Sequence, residues 1–194
     1  MEKAEFTAVV CQNPVNRAIL ERLPDLKAPD AWLVSGALFQ TCWNVKTGRP
    51  VAHGIKDYDI FYFDDADLSW EAEDEVIRRA EALFDDLGAE IEVKNQARVH
   101  LWYEERFGLS YAPLKSACEG IDRFLAVACK VGLKPDEEGG VELYAPDGLS
   151  DIADMLIRPN VTANFGAAEY ERKAARWKAA WPELTVEPRV AAPG

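Results

Sequence analysis

Asp57 and Asp59 are the residues of this chain whose type and spacing best suit chemistry. In an extended segment, positions i and i+2 share a face, about 7 Å apart at ~3.3 Å per residue. Two carboxylates so placed can converge on a hard cation, and Mg²⁺ commonly takes one or two carboxylates with phosphate oxygens and water. Upstream, the apolar run Ala31-Trp32-Leu33-Val34 closes in Ser35-Gly36 and leads into a helical pattern. A strand–turn–helix of this kind offers free amides and a favourable dipole to phosphate. Downstream, a further alternating segment supplies a third carboxylate on one face, Glu90 or Glu92. Three carboxylates and a phosphate-binding turn are the parts that two-metal phosphoryl transfer needs.

Other polar residues have competing structural roles. Lys56 precedes the acids and points away from them on an ideal strand, so a salt bridge and a substrate contact are equal alternatives. Arg98 suits either phosphate or a neighbouring acid. His53 and His100 read first as structural. Lys173, Arg176 and Trp177 share one helical face. Phosphate contact or base stacking is open to them, but surface charge and core packing are the simpler roles.

The elements that must position these groups follow from periodicity. Phe6, Val9 and Val10 open a helical stripe. Asn13-Pro14 is an N-cap followed by Pro at the first helical position, and Val15, Ala18, Ile19 and Leu23 continue at helical spacing. Residues 31–34 predict a buried strand, and Leu38, Phe39, Cys42 and Val45 a helix ended by Gly48 and Pro50. Residues 47–56 read as a loop.

Along 57–63, Asp57, Asp59, Phe61 and Phe63 take one face of a strand, and Tyr58, Ile60 and Tyr62 the other. A helix follows from about Ser69, with Val76, Ala80, Leu83, Phe84 and Leu87 inward and Gly88 at its end. Ile91 and Val93 oppose Glu90, Glu92 and Lys94 on the next strand. Further strands are expected at 98–103 and 124–131, a short helix near 115–121, a hairpin turn at 136–140 returning through 141–145, and helices near 149–157 and 167–181. The order predicts an α+β (mixed α/β) fold, a small mixed sheet covered by helices, with a C-terminal hairpin and helices.

Bulk properties bound the reading. The 194 residues suit one domain, read as 1–188 with a flexible tail at 189–194. The net charge of −12 and the lack of a Lys/Arg cluster speak against extended nucleic acid as partner. The four cysteines form no C-x-x-C pair, and with two histidines they make a structural zinc site improbable. Reduced thiols, no signal core and no apolar run of membrane length suggest a cytoplasmic protein without a membrane partner.

The motifs together resemble the nucleotidyltransferase superfamily, and more closely a bacterial nucleotidyltransferase-like family formerly known only as a domain of unknown function. The resemblance spans roughly residues 15 to 188. It is carried by Ser35-Gly36-Ala37, Gln40, Trp43-Asn44, Gly54-Ile55-Lys56-Asp57-Tyr58-Asp59, the run from Asn95 to Tyr103, Tyr144-Ala145-Pro146, Gly148-Leu149, Arg158-Pro159-Asn160, and Lys173 with Arg176-Trp177. It implies the nucleotidyltransferase fold, with Asp57 and Asp59 as metal-binding acids, Glu92 as the third, and Ser35-Gly36 as the triphosphate turn. It implies Mg²⁺, or Mn²⁺ in its place, and an NTP; ATP is only the default choice of base, and the acceptor, a small molecule or a protein, is not named by the resemblance. Nucleotide-site residues are then Ser35, Gly36, Lys56 and Arg98. Ala37 stands where many superfamily members carry Ser, removing one hydroxyl contact to phosphate. A catalytically silent nucleotide-binding module of the same fold is the alternative function.

Overall fold

The alternating segments around Asp59 and Glu92 become neighbouring strands of one sheet, and the helical stripes between them become its cover. The computed structural model describes residues 1–163 and 165–189. Elements run α1 (Lys3–Val10), α2 (Pro14–Arg22), β1 (Trp32–Val34), α3 (Gly36–Lys46), β2 (Tyr58–Tyr62), α4 (Trp70–Phe84), β3 (Ile91–Asn95), α5 (Tyr103–Phe107) and α6 (Ala117–Ile121). They continue β4 (Gly132–Pro135), β5 (Val141–Tyr144), α7 (Ser150–Ala153), β6 (Leu156–Ile157), α8 (Ala167–Ala180) and β7 (Thr185–Val186). The fold is mixed α+β, as expected.

The main sheet has the order β3-β2-β1-β4-β5. β2 and β3 are parallel, and the other pairings are antiparallel. One row across it reads Val93–Ile60–Leu33–Leu133, all buried. These side chains meet Phe6 and Val10 of α1, Ile19 and Leu20 of α2, Leu38 and Phe39 of α3, and Val76, Ala80 and Phe84 of α4 in one core. Burial of each such side chain is worth about 1.5–3 kcal/mol. α3 is buried continuously from Ala37 to Asn44, the mark of a helix enclosed on all sides. The opposite face is only partly covered: Trp32, Val34 and Phe61 pack with Ala117 and Ile121 of α6 in a smaller cluster.

Local signals hold at several helix ends. Asn13 Oδ1 accepts from Val15 N (3.0 Å), with Pro14 at the first helical position. The same Asn13 is fully buried, and its Nδ2 donates to Tyr58 Oη (3.1 Å) and Thr41 Oγ1 (3.3 Å). Ser69 caps α4 through Ala72 N, and Gly88 takes a left-handed φ of 60° beyond its end.

Three elements differ from expectation. Residues 98–103, read as a strand, instead form a 3-10 turn over Gln96–Leu101 followed by α5. Asn95 Oδ1 accepts from Ala97 N and turns the chain, while Arg98 is drawn to Leu68 O and to the Glu73 carboxylate. Residues 124–131 are irregular: Ala126 makes an isolated bridge to Pro159, Val127–Cys129 is a 3-10 turn, and the strand starts at Gly132. Asn160 Nδ2 binds the carbonyls of Asp122 and Phe124, at 2.8 Å each, at the start of that stretch. The helix expected at 149–157 shortens to α7; Met155 takes φ 54°, and Leu156–Ile157 pairs in parallel with β7.

Of the expected tail, Arg189 donates to Phe165 O and lies over its ring at 4.3 Å, whereas 190–194 fall outside the described residues. Among the described residues no helix is long and apolar enough to cross a membrane.

Candidate active site

The turn between β1 and α3 is strained. Ser35 sits at φ 54°, ψ −115°, a region L-residues rarely adopt, and it is buried. Such strain persists only where surrounding contacts impose it. Here Ser35 N donates to Val131 O (2.8 Å), and Ser35 O accepts from Leu38 N (2.9 Å) and Phe39 N (3.2 Å). Its hydroxyl is hydrogen-bonded to Cys129, whose thiol burial pushes up to about 12. No side chain caps α3, and with Leu38 N and Phe39 N already bonded to Ser35 O, the amides of Gly36 and Ala37 are the groups available to an anion. A Cβ on Gly36 would meet Gln40 Nε2 at 3.0 Å. Glycine therefore leaves room for that buried amide beneath the turn.

The acids lie on the open face of the sheet. Val34 of β1 pairs with Asp59 of β2, and Asp59 pairs with Glu92 of β3. Asp57 lies just before β2, at the end of the sheet where β1 leaves into the Ser35–Gly36 turn. Glu90 lies one step before β3, exposed, its carbonyl accepting from Tyr58 N (2.9 Å). Burial raises the Asp59 carboxyl to about 6; Lys94 opposes the shift, Asp57 and Glu92 add to it, and Lys173 opposes it. The groups felt by Asp59 are thus Asp57, Glu92, Lys94 and Lys173, and Glu90 is not among them. Lys94 Nζ stands 2.5 Å from Glu92 Oε2 and 4.0 Å from Asp59 Oδ1.

Among the described residues, no three His, Cys, Asp or Glu side chains are grouped closely enough to hold a metal ion. The donors nevertheless fit Mg²⁺ or Mn²⁺. They are hard carboxylate oxygens, burial and, to a smaller extent, the neighbouring Asp57 and Glu92 keep a proton on Asp59 beyond its ordinary range, and an ammonium already bridges two of them. Mg²⁺ characteristically completes its shell with substrate phosphates and water rather than with an all-protein cage.

Two register steps along β2 and β3 from the acid pair, on the same face, lies the pair Phe61–Lys94. These two form the floor of a cavity of about 580 Å³ that extends under α5 and the start of α8. Its walls include Trp102, Tyr103, Phe107 and Tyr111, and Lys173 reaches it from α8.

The profile of the family described as Nucleotidyltransferase matches residues 21–186. The chain belongs to this nucleotidyltransferase family. A solved structure described as revealing a CCA-adding enzyme head domain is similar over 96% of both chains, with 25% identity and a TM-score of 0.78. A Thermotoga maritima CCA-adding enzyme complexed with tRNA shares the fold at 16% identity, TM-score 0.55, over 94% of this chain and 42% of its own. A CCA-adding enzyme complexed with ATP does so at 15% identity, TM-score 0.51, over 91% and 40%. A search of curated proteins finds no match.

In this nucleotidyltransferase the residues singled out from the sequence fall into two groups. Ser35, Gly36, Asp57, Asp59 and Glu92 come together around the ends of β1, β2 and β3. Lys56 is exposed and makes no ion pair among the described residues. Arg98 is buried in a pairing with Glu73, with Leu68 O as a second acceptor at 2.9 Å, so its guanidinium is committed to the fold and not to the acid row. His53 packs edge-on against Trp181 at 5.7 Å. Trp177 is core, packed edge-on against Phe39 at 5.6 Å.

Lys94 and Lys173 are the additions of the structure. Lys94 was legible as sharing the face of Glu92, but its contact with Asp59 depends on strand pairing. Lys173 arrives from a helix more than a hundred residues along the chain, and in the sequence only its helical spacing from Arg176 and its place in the family resemblance hinted at a role. Lys173 and Arg176 also depress the Cys129 thiol, against the larger effect of burial. Their charge is therefore felt at the Ser35 turn.

Proposed function

We propose that the chain transfers a nucleoside monophosphate from an NTP to an acceptor oxygen, with release of pyrophosphate. The observation that carries this reading is the register row Val34–Asp59–Glu92, which has Asp57 and the strained Ser35–Gly36 turn at one end. Family membership supports nucleotidyl transfer in general.

In this reading the α3 amides cradle the β- and γ-phosphates, aided by the helix dipole. Lys173 and Arg176 add positive charge beside them. Asp57, Asp59 and Glu92 would hold Mg²⁺ or Mn²⁺. A bound divalent ion there supplies Lewis-acid neutralisation of phosphate charge. The acceptor oxygen attacks the α-phosphorus, the bond from that phosphorus to the α,β-bridging oxygen breaks, and pyrophosphate departs from the turn. A Glu92 carboxylate oxygen, held by Lys94, takes the acceptor's proton. Preorganised charge supplies most of the rate, as is general in phosphoryl transfer.

The Lys94–Glu92 ion pair also favours a second reading, a nucleotide-binding module without turnover, because it neutralises the third acid. One experiment separates the two. Wild type and the double variant Asp57→Asn/Asp59→Asn are assayed by calorimetry with Mg²⁺ and each NTP, and by pyrophosphate release. The double variant is expected to lose at least about a thousandfold in turnover, comparable to removing a key electrostatic stabiliser. Unchanged binding and turnover would sink the mechanism. Tight NTP binding by wild type with no pyrophosphate across a broad acceptor panel would leave the silent module.

A further inference from the structure

We propose that the cavity floored by Phe61 and Lys94 is the acceptor subsite, and that its ligand is a small molecule carrying a planar aromatic ring and an anionic substituent. This rests on the nucleotidyl-transfer reading above and adds the chemistry of the acceptor.

Its position follows from strand register. Along β2, the order is the end where β1 leaves into the Ser35–Gly36 turn, then the Asp59–Glu92 pair, then the Phe61–Lys94 pair that lines the cavity. Successive pairs on one face are about 7 Å apart at ~3.3 Å per residue. Phosphoryl transfer requires attacking and leaving oxygens roughly in line. With pyrophosphate leaving over the turn, the acceptor must approach from the other side of the acids, and the cavity lies there.

The ring follows from the walls. Phe61 and Phe124 stack at 5.3 Å with 14° between their planes, giving a flat aromatic floor. Tyr103 stands 4.7 Å from Phe107 and 4.4 Å from Tyr111, a second aromatic surface facing the same space. Aromatic side chains favour offset or edge-on contact with another ring. A volume of about 580 Å³ lies within the range of small-molecule sites.

The anion follows from charge. The whole chain carries −12, yet the charged residues lining this cavity are Lys94, Arg123, Lys173 and Glu169, a local excess of positive charge. Lys94 is paired with Glu92, and Lys173 with Glu169 at 3.8 Å. Arg123 has no ion-pair partner among the described residues; its guanidinium lies 5.6 Å over the Tyr111 ring, exposed at the cavity. An arginine without a counter-ion in so acidic a chain is a ready partner for a carboxylate or phosphate.

The test uses the full chain and four probes: benzoate, 4-hydroxyphenylacetate, indole-3-acetate and the saturated cyclohexanecarboxylate. Ligand-observed NMR and calorimetry follow each probe, with and without Mg²⁺ and a non-hydrolysable ATP analogue. At least one aryl carboxylate is expected to bind, with the saturated acid weaker by about fivefold, the scale of an aromatic pair contact. Arg123→Gln should weaken the aryl probe about tenfold, the scale of a charge-assisted hydrogen bond, and Phe107→Ala should also weaken it. Both side chains are exposed, so both variants should fold; near-ultraviolet circular dichroism checks this. The ATP analogue should bind alongside the probe. Competition between the two would overturn the proposal by making the cavity the nucleobase site. Equal binding of the saturated acid, indifference to both variants, or no binding of any aryl probe would overturn it too. Failure of wild type to bind the ATP analogue would instead strike the nucleotidyl-transfer reading, while the aryl titration stays readable.

Discussion

Ile60 and Asp59 are adjacent on β2, but their side chains leave on opposite faces of the sheet. Ile60 enters a row with Val93, Leu33 and Leu133 beneath four helices. Asp59 enters a row with Glu92 and Val34, beside a lysine and an open cavity. One face removes apolar area from water. The other gathers like charges that repel, with Lys94 as partial compensation. A strand's period of two lets a single segment serve both ends, because neither face dictates the residues of the other. Natural sites commonly hold such locally unfavourable arrangements on a scaffold that tolerates them.

Substitutions can break or sharpen this contrast. The largest stability effect belongs to the covered face. Ile60→Ala should cost about 2–5 kcal/mol, the range for deleting a fully buried aliphatic side chain. Urea unfolding measures it, and the surviving folded fraction should keep its NTP affinity. A loss of nucleotide affinity without a loss of stability would erase the distinction between the faces.

Asp59→Asn should act in the opposite sense. The folded state holds the Asp59 proton up to about pH 6, whereas the unfolded state releases it near 3.8. Ionisation therefore lowers wild-type stability as pH rises through that window, and the deficit is complete above about 6. Without metal, the variant should be more stable than wild type at pH 8 by about 1–3 kcal/mol, and the difference should vanish below pH 4. Thermal melts across pH check this. Mg²⁺ with ATP should then raise the melting temperature of wild type and not of the variant. A variant less stable at pH 8 would mean that Lys94 more than compensates the acids.

The smallest effect is expected at the turn. Ser35→Gly should relieve the positive φ and stabilise the fold by about 1 kcal/mol, less the extra entropy of a glycine in the unfolded chain. Denaturant midpoints test this, and a fall in NTP affinity alongside would tie the strain to ligand binding.

Much of this was readable from local pattern. Alternation over 57–63 and 90–94 assigned the faces correctly, and the cap at Asn13 and the helix start near Ser69 were real. Ser35-Gly36 was recognised as a turn into a helix. What escaped was whatever a distant partner decides. The 98–103 segment has the apolar content of a strand, but Arg98 is held by Glu73 on α4, and Asn95 turns the chain first. The 124–131 run is apolar enough to pair, but Asn160 takes the carbonyls at its start. Arg98 looked available to phosphate because its acid lies 25 residues away. Lys173 looked like surface charge because nothing local shows where α8 docks. Glu90 and Glu92 share a face, and only strand pairing shows that Glu92 is the one opposite Asp59.

The Asn13 side chain reaches from the cap of α2 to the Tyr58 phenol, and Tyr58 stands between the two acids. Residue 13 precedes the span matched by the family profile, which begins at 21. The cap of α2 therefore braces β2, the strand that carries Asp59. A shortened chain beginning at residue 21 would keep every proposed ligand yet leave Tyr58 without its anchor. The strand that carries Asp59 would then lose a buried tie outside the matched span, so the boundary of recognisable sequence falls short of the boundary of the packed fold.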